Sequence, residues 1–215
     1  MSKALKTINN ERNNEQLILE AAEVEFLEKG FKNAATTAIA KRAGVTHAML
    51  HYYFRTKENL FQKVFQEKVI LLGDSFYQQL SDDLPFEELI QKFIEFHFNF
   101  VRQNPKLLTF VFNEVVVNTK NRQFLIDQIR PKVLNVLHRF EKILSDEVEK
   151  GKIRPVKAFD LLINIASMNI VTFATLPVIQ DLTQGKTSAD CLDKLINERK
   201  ESIVQFVLNA LTINH

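Results

Sequence analysis

Between Lys29 and Lys57 the chain gathers six cations (Lys29, Lys32, Lys41, Arg42, Arg55, Lys57), two histidines (His47, His51) and two tyrosines (Tyr52, Tyr53), with no Asp or Glu among them. The chemistry open to that set is recognition of a polyanion, because Lys and Arg brought to phosphates release condensed counterions. The chain carries a net formal charge of +2, so the six cations here leave −4 for the remainder. A solvated charged face would have the same composition. What separates the two is the backbone that these residues specify.

From Thr37 to Ala43 the apolar residues Ile39, Ala40 and Ala43 share one helical face, with Lys41 and Arg42 opposite. Gly44 then stops the helix, since glycine enters the left-handed region without steric cost. Thr46 suits the N-cap of a following helix in which Leu50 and Phe54 form the buried stripe. Two helices joined by a short Gly-containing turn form a helix-turn-helix, whose second helix enters the major groove of DNA. On that helix His47, Ala48, Met49, His51 and Tyr52 are placed for base edges and thymine methyls. A histidine ring N–H can donate to purine N7 or O6. Thr36, Thr37, Thr46, Tyr53 and Lys57 are placed for phosphates, Lys57 at the positive start of its own helix.

These residues resemble the TetR family of bacterial transcriptional regulators. Phe26, Gly30, Phe31, Ile39, Ala40, Ala43, Gly44, Val45, Leu50, Tyr53, Phe54, Lys57, Glu58 and Leu60 stand at that family's spacing. The close resemblance spans Ile18 to Val64; beyond it the run from Gly151 to Pro155 is a weaker likeness. Ala34 and Ala35 stand where the family usually has Thr or Ser, which moves the first phosphate contact to Thr36 and Thr37. Ala48 replaces a frequent Gly, Glu25 stands at a usually apolar position, and His51 replaces a frequent Tyr, which implies an altered sequence preference. The resemblance supports the recognition-helix positions, Tyr53 and Lys57 residue by residue.

The remaining elements are read as helices, so the fold class is all-α: an N-terminal three-helix DNA-binding domain with a helix-turn-helix, and a C-terminal helical bundle for ligand binding and dimerisation. Residues 1–14 read as a flexible basic arm without an export signal, 15–60 as the DNA-binding domain, and 61–215 as the effector and dimer domain. Glu15 to Lys29 forms the first helix, ended by Gly30. Thr56 caps a helix reaching about Leu80, the mechanical link between the domains. Further helices run from Pro85 to Arg102, from Pro105 through Leu108, Phe112 and Val115, and from Asn121 to Lys150, with Gly151 as the cap. Leu161 to Ile179 carries no charge. Asn164, Ser167, Asn169, Thr172, Thr175 and Pro177 interrupt it, which favours a helix buried on most sides, in a core and a subunit interface, over a membrane span. Ser188 caps the last helix, whose stripe is Leu192, Leu195, Ile196, Ile203, Phe206 and Ala210.

No phosphate loop, Cys/His metal spacing or nucleophile motif occurs, so no enzyme, metal site or cofactor is expected. The single cysteine, Cys191, suits a reducing cytoplasm. Thirteen of the 18 phenylalanines follow Val69. With His97, Asn113, Asn169 and Thr172 among them, they suit an apolar pocket with a few orienting polar groups, or simply a core. The expected effector residues are His97, Phe100, Phe112, Asn113, Met168, Asn169 and Thr172. The reading is a cytoplasmic homodimeric regulator, a repressor released from a palindromic double-stranded DNA operator by a small, largely apolar effector. Its dimer surface is formed by the last two long helices. A second reading keeps the scaffold as a ligand-binding or protein-interaction module without specific DNA affinity.

Overall fold

A computed structural model describes residues 2–66, 84–106, 119–182 and 188–213, and among these every regular element is a helix. The chain forms two compact units. The described residues of the first are 2–66 and 119–129; those of the second are 84–106, 130–182 and 188–213.

In the first unit, α1 (Ser2–Asn33) begins well before the expected Glu15 and is interrupted where expected: Gly30 has φ 70 and ψ 167. It buries Ile18, Ala21, Ala22 and Phe26. Helix α2 (Thr36–Ala43) buries Ile39, Ala40 and Ala43 and closes on Gly44 at φ 68. There Val45 N–H donates to the Ala40 carbonyl at 3.0 Å and Gly44 N–H to that of Lys41 at 3.3 Å, the paired bonds of a Schellman cap. Helix α3 (His47–Phe54) starts on Thr46, whose Oγ1 accepts from Met49 N–H at 3.2 Å. Leu50 and Phe54 go inward, each such side chain contributing about 1.5–3 kcal/mol of burial. Helix α4 (57–66) is capped by Thr56 Oγ1 and buries Leu60, Phe61, Val64 and Phe65, so this core continues past the expected boundary at residue 60. Phe61 meets Phe26 edge-on at 5.2 Å and Phe31 at 4.9 Å.

In the second unit, α5 (Phe86–Gln103) follows Pro85, which takes the N-cap rather than the first turn. It packs against α7 (Ala158–Leu182) and α8 (Ala189–Leu211), and Phe93 meets Phe140 of α6 (Thr119–Glu149) at 4.8 Å. Ser188 Oγ caps α8 through Cys191 N–H. After Gly151, at φ 68, Ile153 makes an isolated bridge to Thr212, and Arg154 N–H donates to the Leu211 carbonyl at 2.9 Å. The loop from Gly151 therefore ties down the end of α8.

The uncharged helix, expected to lie between a core and a subunit interface, shows its core side within one chain. Among the described residues α7 buries Ala158, Leu161, Ile165 and Asn169, while Phe159, Ile163, Ile170, Val171, Val178, Ile179 and Leu182 stand exposed. By length and composition α7 could cross a membrane, yet its buried residues belong to a core shared with α5 and α8. On α8, Ile196 and Ile203 are buried but Leu195, Phe206 and Ala210 face outward, which splits the expected stripe. The expected helix from Pro105 and the continuation of α4 toward Leu80 lie outside the described residues.

Candidate nucleic-acid interface

Because Leu50 and Phe54 fix which side of α3 faces the core, the opposite side is set by helical geometry. His47, Ala48, His51 and Tyr52 are exposed there, Tyr52 to 64%, with Met49 and Tyr53 half-buried. The imidazoles of His47 and His51 meet edge-to-face at 4.4 Å. His47 Nε2 lies 3.0 Å from Thr36 Oγ1 at the start of α2, and His51 Nδ1 lies 2.9 Å from the Arg55 carbonyl oxygen. Tyr53 packs beside Tyr52 and Phe54 at 5.3 and 6.3 Å. All the expected interface residues thus lie on α2, α3, the intervening turn and the start of α4. Thr46 Oγ1 accepts the α3 cap bond, which leaves its O–H to donate.

The cations are divided. Lys29 Nζ is 2.7 Å from Glu25, and Arg42 Nη2 is 3.8 Å from Glu25 and 3.4 Å from Glu28. Lys57 Nζ donates to the carbonyls of Ala34 at 2.8 Å and Lys32 at 3.2 Å, and lies over the Phe31 ring. An ammonium has three N–H donors, so at most one remains for an outside acceptor. Lys32, Lys41 and Arg55 stand exposed.

Glu25 was not singled out as functional by sequence reasoning. It is 1% exposed, and its Oε1 also accepts from Ala35 N–H at 3.4 Å, beside an α2 N-terminus whose N-cap Ala35 has no side-chain cap. The signal was an acid on the apolar side of α1, beside Phe26 and four residues before a lysine.

In the second unit the structure brings His97 and Asn169 together. Asn169 is fully buried, and its Nδ2 donates to His97 Nδ1 at 2.9 Å and to the Ile94 carbonyl at 3.3 Å, while its Oδ1 has no hydrogen-bond partner among the described residues. Burial pushes the His97 imidazole down to about 4, so the ring is neutral near pH 7. Thr172 Oγ1 donates to the Met168 carbonyl and receives Arg199 Nε at 3.4 Å, a contact the sequence did not indicate. Phe100 is half-buried on α5. Phe112 and Asn113 lie outside the described residues. Among the described residues no cluster of three or more His, Cys, Asp or Glu could hold a metal.

Residues 18–64 match the model of the bacterial regulatory proteins of the tetR family, and residues 87–207 match that of the tetracyclin repressor-like C-terminal domain. The chain is 26% identical over 141 residues to the uncharacterized HTH-type transcriptional regulator YhgD of Bacillus subtilis, covering 65% of this chain and 72% of that protein. It is 24% identical over 137 residues to the fatty acid metabolism regulator protein of Bacillus subtilis, covering 64% and 69%. It shares its fold with the transcriptional regulator FadR from Bacillus subtilis, solved in complex with stearoyl-CoA, at a TM-score of 0.63 and 18% identity over 91% of this chain and 98% of the other. The chain therefore belongs to the TetR family, a DNA-binding transcriptional regulator with an N-terminal helix-turn-helix and a C-terminal ligand-binding domain.

Proposed function

We propose that this regulator acts as a repressor in the cytoplasm, where it binds a palindromic operator as a homodimer and leaves it when a small, largely apolar effector binds. The observation that carries the reading is the face of α3: His47, Ala48, His51 and Tyr52 are exposed together while Leu50 and Phe54 anchor the helix. Those residues with Met49 read bases; Thr36, Thr37, Thr46, Tyr53 and the remaining donor of Lys57 serve phosphates. Two such helices, about 34–36 Å apart or a multiple of that, suit a two-fold operator.

The outward apolar side chains of α7 and α8 support the homodimer, since exposed apolar surface gathered on neighbouring helices marks an interaction surface. In the second unit, His97, Phe100, Met168, Asn169 and Thr172 combine aromatic and apolar surface with few polar groups, as an effector site needs. A relative named as a fatty acid metabolism regulator, and a fold neighbour solved with stearoyl-CoA, support a long-chain acyl compound as effector. Such a ligand releases DNA to the extent that it prefers the conformation with misplaced recognition helices.

The test is fluorescence anisotropy against DNA from immediately upstream of the coding region, with scrambled DNA as control and stearoyl-CoA added afterwards. The reading expects a site bound about a thousandfold tighter than the scramble, and release on adding the acyl compound. Equal, weak binding to every duplex in a genome-wide selection would overturn it.

A further inference from the structure

The sequence alone leaves the histidines of α3 able either to donate or to accept. The structure removes that freedom at His51. Its Nδ1 lies 2.9 Å from the carbonyl oxygen of Arg55, and a carbonyl oxygen only accepts, so the hydrogen is on Nδ1. A neutral imidazole carries one ring hydrogen, so Nε2 is a bare acceptor.

The Arg55 carbonyl is where it is because of the turn behind it. Arg55 has φ 63 and ψ −55, and Thr56 N–H donates to the Phe54 carbonyl at 2.6 Å across it, which is the rare γ-turn with positive φ. Arg55 N–H in turn donates to the His51 carbonyl at 3.0 Å. His51 and Arg55 thus hold each other by two bonds, one to the main chain of His51 and one to its ring. The tautomer and the direction of the exposed ring are set together.

In the major groove adenine N6 and cytosine N4 offer donors, whereas guanine offers N7 and O6 acceptors and thymine O4 and a methyl. We propose that His51 is a specificity-determining residue whose Nε2 accepts from the exocyclic amino group of an adenine or a cytosine in each half-site, with Arg55 fixing that choice through its carbonyl. The proposal rests on the DNA-binding reading above. A guanine at that position would set lone pair against lone pair.

The experiment is selection from a pool of randomised duplexes with the full-length protein and with His51→Phe, at a pH well above the ordinary histidine value of about 6.5. The wild type should enrich adenine or cytosine at one position per half-site, and His51→Phe should lose that preference and keep the rest of the motif. Replacing the selected base by an analogue without its amino group should weaken the wild type about tenfold and leave His51→Phe unaffected. Nitrogen NMR of the free wild type should find the ring hydrogen on Nδ1, a readout that does not depend on the variant folding. A hydrogen on Nε2, a guanine or thymine at the His51-dependent position, or a motif unchanged by His51→Phe overturns the inference and leaves the regulator reading intact. If the wild type selects no motif at all, both fall.

Discussion

His47 Nε2 and Thr36 Oγ1 meet at 3.0 Å, joining the first turn of α3 to the first turn of α2. The exposed Thr46 cap and this bridge both steady the leading end of α3. Thr36→Val should therefore lower operator affinity about two- to tenfold, the worth of one hydrogen bond, with little change in melting temperature. Thr36→Ser, which keeps the hydroxyl, should bind as the wild type does. Anisotropy titration checks both, and normal binding by the valine variant would refute the bridge.

Lys57 carries two duties that a phosphate assay alone confounds. Its ammonium closes the end of α1 through the Ala34 and Lys32 carbonyls, so Lys57→Met should cost about 1–2 kcal/mol of stability in a urea titration without DNA. Tyr53→Phe removes only a hydroxyl and should leave stability within about 0.5 kcal/mol while weakening DNA binding. If the urea midpoints rank the other way, the carbonyl contacts of Lys57 are incidental.

Glu25→Gln should shift stability and salt dependence together. Breaking a buried pair usually costs about 3–5 kcal/mol because a charge is stranded, but Lys29 and Arg42 are nearly half exposed and rehydrate. A loss of about 1–2 kcal/mol is expected. The released cations should steepen the slope of log affinity against log salt by about one. An unchanged slope would mean that Lys29 and Arg42 already act on phosphates despite Glu25.

The helix-turn-helix was legible in the sequence because each device in it is local: the apolar triad of α2, the glycine stop, the threonine cap and the Leu50–Phe54 pair span a few residues each. What the sequence did not reveal are contacts between distant positions. The charges of Lys29, Arg42 and Lys57 read as a single patch until folding brought Glu25 and the α1 carbonyls to them. Likewise the composition of α7 reports its total apolarity, but not which of its faces α5 and α8 cover and which are left for a partner subunit. The pairing of His97 with Asn169 bridges 72 positions, and no spacing rule reaches that far.

Stability should also depend on His97. Its folded value of about 4 lies below the ordinary 6.5, so the folded chain resists the proton that the unfolded chain takes up. The contribution is full above pH 6.5 and is lost as pH falls toward 4, by up to about 3 kcal/mol. Glu147 acts in the same direction at lower pH, since its hydrogen bond from Lys150 holds its carboxyl below the usual range. Urea titrations between pH 6.5 and 5 isolate the histidine, and His97→Gln should flatten that slope. An equal slope in the variant would refute the assignment.

Val171, 55% exposed on the outer side of α7, tests the dimer surface. Val171→Asp should give a monomer by light scattering and lose operator affinity, with the helical content of each chain preserved. A dimer that survives the substitution would move the interface elsewhere.

The buried Glu25 has a consequence for how such a protein finds its site. A genome offers about a million to a billion competing sites, and their attraction for a regulator is almost wholly electrostatic. A salt slope that steepens in Glu25→Gln would mean that Glu25, by holding two cations from within, trims the affinity shared by all sequences and shortens the time the regulator spends on the wrong DNA.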